Sequence, residues 1–158
     1  VEGKVPSCSI KDAVDLGMAI QGWKTHEELT WLAEHASHAK FILDVGCWRG
    51  QTTKVMAAVC SGTVIAVDHV SGCYSGDVGR NEILKGETPW DIMQDFLGNL
   101  EAEMHDLKVF GIFENGEPAR IAVRELMGQA RFDFAWLDGD HDHADVRADL
   151  LAYRALMA

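Results

Sequence analysis

Basic side chains are scarce in this chain: 14 Lys and Arg stand against 25 Asp and Glu, a formal charge of −11 over 158 residues. Nucleic acids and anionic membrane surfaces are bound through clustered Lys and Arg, so neither is expected as a partner. The four cysteines, Cys8, Cys47, Cys60 and Cys73, show no Cys-x-x-Cys spacing. That excludes a zinc knuckle and a disulfide framework and agrees with a reducing cytoplasm. No apolar run approaches the roughly 18 residues of a membrane span. The start lacks the basic, apolar, small-residue order of a signal peptide, and it opens on Val1 rather than Met, as a trimmed chain would. Internal repeats and low-complexity tracts are missing too. So is Gly-x-x-x-x-Gly-Lys-Ser/Thr, which rules out a Walker phosphate cradle.

What remains is a globular composition, 47% hydrophobic and 25% charged, at a length suited to one domain. The run 41–45 is too apolar for a half-exposed strand and too short for a helix, which fits a central strand buried on both faces. Gly46 and Gly50 follow it and permit a sharp turn into a helix over 51–60, whose free N–H groups would point at a ligand. A second strand over 63–67 ends in Asp68 and His69, where an open parallel sheet places the carboxylate that grips a ribose.

Upstream, 1–21 reads as an N-terminal arm. Thr25 and Glu28 form a capping box that opens a helix with Leu29, Leu32, Ala33 and Ala36 on one face. Gly22 and Trp23 either curl over the cofactor site or pack on the sheet. The glycine-rich segment 70–88 leaves the ligand side of strand two and reads as a substrate loop, with plain disorder as the alternative. Pro89, after Thr88, opens a helix striped by Ile92, Met93, Phe96, Leu97 and Leu100. A third strand spans 107–113 and ends in a turn at 114–117. Pro118 opens a helix that buries Ala119, Ala122, Val123 and Leu126. A fourth strand spans 132–137, and a last helix carries Val146, Leu150, Tyr153 and Met157.

Alternating strands and helices predict an α/β sheet that binds ligands beyond the carboxyl ends of its strands. Gly46 to Gly50, Asp68, His69, the turn at 114–116 and the cluster 138–143 all fall at those ends. Alternation alone leaves dinucleotide-binding, phosphate-binding and methyl-donor folds open.

Asp44-Val45-Gly46-Cys47-Trp48-Arg49-Gly50-Gln51-Thr52 resembles motif I of the class I S-adenosylmethionine-dependent methyltransferases. Phe132-Asp133-Phe134-Ala135-Trp136-Leu137-Asp138-Gly139-Asp140-His141 resembles the strand-four signature of one small-molecule O-methyltransferase branch, methyltransferase family 24. The likeness runs from about Gly22 to the last residue. It implies a Rossmann-like three-layer sandwich, methylation of a small-molecule hydroxyl, and S-adenosylmethionine as cofactor. Carried over residue by residue, it implies that Asp44, Gly46, Cys47, Trp48, Gly50, Gln51 and Thr52 line the methionine portion. Asp68 would hold the ribose with His69 beside it, and Asn115 and Gly116 would sit by the adenine. Trp48 departs from the family's commoner glycine, which predicts a wider turn.

The resemblance also implies magnesium bound through Asp138, and His141 could act as general base because an imidazole titrates near neutral pH. For Asp140, Asp142 and Asp145, capping the last helix is the competing reading. His26, His35, His38 and His105 read as surface residues. The family's sheet usually continues past this point with a fifth strand and a hairpin, whereas this chain stops at Ala158. The expected sheet is therefore truncated after strand four and its helix. Its exposed edge invites a partner, such as a second copy of the chain. A non-catalytic donor-binding module and a nicotinamide-dependent oxidoreductase are the alternatives; the second is disfavoured by the lack of a further glycine of the Gly-x-Gly-x-x-Gly kind after Gly46.

Overall fold

The computed structural model describes residues 8–70, 86–139 and 142–158. In chain order the elements are α1 (Ile10–Met18), α2 (His26–Ala36), β1 (Phe41–Val45), α3 (Gln51–Val59), β2 (Thr63–Val67), α4 (Pro89–Asn99), α5 (Glu101–His105), β3 (Val109–Ile112), α6 (Gly116–Met127), β4 (Phe134–Leu137) and α7 (His143–Arg154). The strands form one parallel sheet in the order β3-β2-β1-β4. β1 is flanked on both sides, which is why its apolar run carries no polar alternation beyond Asp44.

Successive side chains of a strand point to opposite faces, and the two cores follow that rule. Ile42, Val64, Ala66 and Val109 pack with Val14 of α1, Leu29 and Leu32 of α2, Val55 and Met56 of α3, and Phe96 of α4. Leu43, Val45, Ile65 and Val67 pack on the other face with Ala119, Val123 and Met127 of α6 and with Tyr153 of α7. The result is the expected three-layer α/β sandwich.

Local signals account for most helix starts. Thr25 and Glu28 form both hydrogen bonds of the capping box, and Thr88 with Asp91 does the same with Pro89 in the first turn. No helix among the described residues is long and apolar enough to cross a membrane.

Six expectations need correction. Residues 10–18, expected within an arm, form α1, capped by the Ser9 hydroxyl, which accepts from the Asp12 N–H, with Ala13, Val14 and Gly17 buried. Small residues on that face let α1 lie close to α3, where a Cβ on Gly17 would meet Val55. The third strand begins at Val109, because Leu107 turns into the left-handed region at φ 59° while its N–H donates to the Met104 carbonyl. α6 begins at Gly116, two residues before Pro118; a proline is tolerated there because the first helical N–H groups have no intrahelical acceptor. Leu126 is exposed. On α7, Val146 and Leu150 are exposed and Tyr153 is buried, since among the described residues β4 forms the sheet edge beside this helix. Phe132 lies outside β4 in a parallel bridge with Met157.

Candidate functional site

The turn after β1 is built from left-handed backbone. Gly46 has φ 88°, Trp48 φ 43° and Gly50 φ 89°. A Cβ on Gly46 would lie 2.2 Å from the Asp138 carbonyl oxygen, so the glycine is what lets the ends of β1 and β4 meet. Gly50 is the N-cap residue of α3 and makes no side-chain cap bond. Trp48 pays the steric cost of its conformation and is nevertheless buried. Its ring stacks on Trp23 with centroids 4.1 Å apart, and the Arg49 guanidinium lies 4.6 Å from the Trp48 ring centroid. Trp23 is therefore over the turn rather than on the sheet, and it remains 63% exposed.

Asp68 bridges two strand ends. Its Oδ2 accepts from the Trp48 N–H at 2.7 Å and its Oδ1 from the Val70 N–H at 2.6 Å. The carboxylate is thereby held against the β1 turn, with lone pairs left on both oxygens. His69 follows it, half-buried.

Asp44 is fully buried beneath the turn. Its Oδ2 accepts from the Thr52 hydroxyl at 2.9 Å and the Thr53 hydroxyl at 2.6 Å, while Oδ1 has no partner. Burial pushes its pKa from 3.8 to about 7; the two threonine bonds oppose the shift, and the nearby Asp138 and Asp68 charges add to it. The Cys47 thiol is buried as well, and burial pushes its pKa well above the ordinary value, with Asp68 and Asp44 contributing. It is no nucleophile at neutral pH.

Gln51 and Thr52 are occupied with structure: the Thr52 hydroxyl serves Asp44, while the Gln51 Oε1 accepts from the Lys24 N–H at 3.1 Å and its Nε2 donates to the Ile20 carbonyl at 3.4 Å. Arg49, almost wholly buried, pairs with Glu87 and Asp95. At the end of β3, Asn115 and Gly116 are exposed; Asn115 occupies the N-cap position of α6 without a side-chain cap bond.

At the end of β4, the Asp138 N–H donates to the Val45 carbonyl at 2.8 Å, and its carboxylate meets the Lys24 ammonium at 2.7 Å. Asp142 caps α7 by accepting from the Ala144 N–H at 2.8 Å, as the capping reading expected. His141, Asp140 and residues 71–85 of the expected substrate loop lie outside the described residues. The structure thus brings Asp44, Gly46, Cys47, Trp48, Gly50, Asp68 and Asp138 together around one strand-end crevice.

No family model and no curated protein matches the chain. Solved structures do. The O-methyltransferase from Bacillus cereus in complex with SAH, S-adenosylhomocysteine, aligns with a TM-score of 0.60 at 16% identity, over 94% of this chain and 61% of that one. The fold is that of the O-methyltransferases. The SAH-bound methyltransferase PaMTH1 from Podospora anserina aligns with a TM-score of 0.60 at 12% identity, over 94% of this chain and 57% of that one. The O-methyltransferase TomG from Streptomyces achromogenes, involved in tomaymycin synthesis and in complex with SAM, aligns with a TM-score of 0.58 at 11% identity, over 94% and 60%. The chain spans about three-fifths of the length of these structures.

Within this methyltransferase fold, two site features escaped the sequence. Lys24 reaches Asp138 from the α1–α2 connection, and Arg49 is clamped by Glu87, just before α4, and Asp95 within it. Lys24 sits just before the cap Thr25, where a side chain is free of helical packing; that position was its only sequence signal. Neither ion pair has a fixed spacing to read.

Proposed function

We propose that this chain binds S-adenosylmethionine in the crevice formed by 45–50 and Asp68, and transfers its methyl group to a hydroxyl oxygen of a small molecule. The observation that carries the reading is the Asp68 carboxylate, oriented by the Trp48 N–H at the carboxyl ends of two adjacent central strands. There it can accept from two ribose hydroxyls while keeping both backbone bonds. Gly46 and Gly50 allow the turn to approach the sulfonium end closely, and Asn115 with Gly116 takes the adenine end. The fold neighbours crystallised with SAH and with SAM support the same donor.

The bound donor supplies an electrophilic methyl carbon on sulfur. The chain's task is to align the acceptor oxygen with that carbon and to accept the hydroxyl proton. A C–O bond forms as the C–S bond breaks, the proton passes to His141 in this reading, and S-adenosylhomocysteine is released. In this reading Asp138 orients the acceptor, His141 takes its proton, and the segment 70–88 selects it. The Asp138-Gly139-Asp140-His141 block supports the small-molecule branch. The described cysteines are free thiols, which suits a cytoplasmic setting. The outer edge of β4 is where a second copy of the chain would pair.

Calorimetric titration with S-adenosylhomocysteine and, separately, NAD tests the reading. Micromolar binding of the first with no heat from the second is expected. NAD binding without the homocysteine ligand would refute it.

A further inference from the structure

The expectation of magnesium at Asp138 meets an obstacle in the site itself. A hard dication of this kind takes about six oxygen ligands in near-octahedral order. Among the described residues no group of three or more His, Cys, Asp and Glu side chains could hold a metal ion. The carboxylate meant to anchor it is already engaged, because the Lys24 ammonium lies 2.7 Å from Asp138 Oδ2.

This ion pair is positioned rather than incidental. The side chains of Lys24 and Asp138 are only 20% and 29% exposed, so water screens them less than it would a surface pair. The Lys24 backbone is fixed by its N–H bond to Gln51 Oε1, in the first turn of α3. Its ammonium also lies 5.4 Å from the centre of the Trp136 ring, whose π face favours a cation. Asp138 in turn is fixed through its N–H to Val45, beside Gly46 of the donor turn.

We propose that Lys24 takes the place of the divalent cation in this site. Its ammonium neutralises Asp138 and repels a dication, so Asp138 holds no metal ion and the charge it presents to the donor's sulfonium is set by Lys24. The inference rests on the donor-binding reading above. It makes Lys24 a positioning residue with an electrostatic signature. Without its charge, the Asp138 carboxylate faces the crevice unpaired and attracts a cationic ligand over a neutral one of the same shape. S-Adenosylmethionine and S-adenosylhomocysteine are such a pair.

The test uses the whole chain and two probes. Mn2+ is titrated into the wild-type protein saturated with S-adenosylhomocysteine and followed by electron paramagnetic resonance; no binding below about millimolar is expected at Asp138, whose carboxylate is already paired. Submillimolar Mn2+ binding that Asp138→Asn abolishes would overturn the proposal. The affinities for S-adenosylmethionine and S-adenosylhomocysteine are then compared in Lys24→Met, which keeps the aliphatic stem over Trp136. Their ratio should shift about fivefold toward the cationic donor, and Lys24→Arg should restore it. A ratio unchanged within twofold in Lys24→Met would overturn the proposal. Failure of the wild-type chain to bind either ligand would instead refute the donor-binding reading itself.

Discussion

Replacing Asp44 by asparagine should change how the stability of this protein depends on pH, and the size of the effect follows from its burial. In the folded chain the carboxyl is fully buried, with one oxygen partnered by Thr52 and Thr53 and the other by nothing. Burial raises its pKa from 3.8 to about 7. The folded state therefore holds this proton more tightly than the unfolded state. The resulting stabilisation is complete below the unfolded value and is lost as pH rises through the folded one. Across that window the slope is about 1.4 kcal/mol per pH unit. Between pH 5 and pH 8 the wild type should lose about 2–3 kcal/mol from this group alone. Asparagine cannot ionise, so Asp44→Asn lacks that loss, while any cost of an unpaired amide is the same at both pH values. Urea unfolding of both proteins at pH 5, 6, 7 and 8 measures the difference of differences, in which the other carboxylates cancel. A wild-type-minus-variant stability that stays constant from pH 5 to pH 8 would refute the argument, because it would mean that Asp44 is ionised throughout.

Two further outcomes follow from the same crevice. Asp68→Ala removes the carboxylate proposed to accept from the ribose hydroxyls and leaves the Trp48 N–H without its partner; S-adenosylhomocysteine affinity should fall by about 100-fold or more in calorimetry, and an unchanged affinity would remove Asp68 from the donor site. Gly46→Ala forces a Cβ to within 2.2 Å of the Asp138 carbonyl at a φ of 88°. It should cost about 2–4 kcal/mol in denaturant unfolding, and a stability within 0.5 kcal/mol of wild type, roughly the scatter of a neutral surface change, would show that the β1–β4 junction is looser than described.

The central strands and the crevice at their ends were legible because their signals are local and physical. A five-residue apolar run between polar flanks has few readings besides a buried strand, and a threonine followed three residues later by glutamate has few besides a cap. The placement of Asp68 beside the β1 turn could be read because a parallel sheet brings the carboxyl ends of adjacent strands together. α1 was missed although its period is present: Ile10, Ala13, Val14 and Gly17 recur at helical spacing, but the Pro, Ser and Gly just upstream made the whole stretch read as an arm. Leu126, Val146 and Leu150 misled because helical spacing reports which residues share a face and not whether anything covers it. Lys24 and Arg49 were invisible because each meets its partner across the fold, over separations of 114 residues for Lys24–Asp138 and 38 for Arg49–Glu87. No pattern of neighbours in sequence encodes such a meeting.

The position of β4 separates the crevice into two halves of unequal persistence. Asp44, Gly46 and Asp68 hang from β1 and β2, each hydrogen-bonded to a strand on either side, whereas Asp138 hangs from a strand whose ladder, among the described residues, runs along β1 alone. Opening of a peripheral strand costs less free energy than global unfolding, so amide protons of β4 should exchange with solvent through partial opening events that leave β1 and β2 protected. The turn after β1 would then endure through fluctuations in which Asp138 comes and goes, and anything that pairs with the outer edge of β4 would tighten Asp138 without touching that turn.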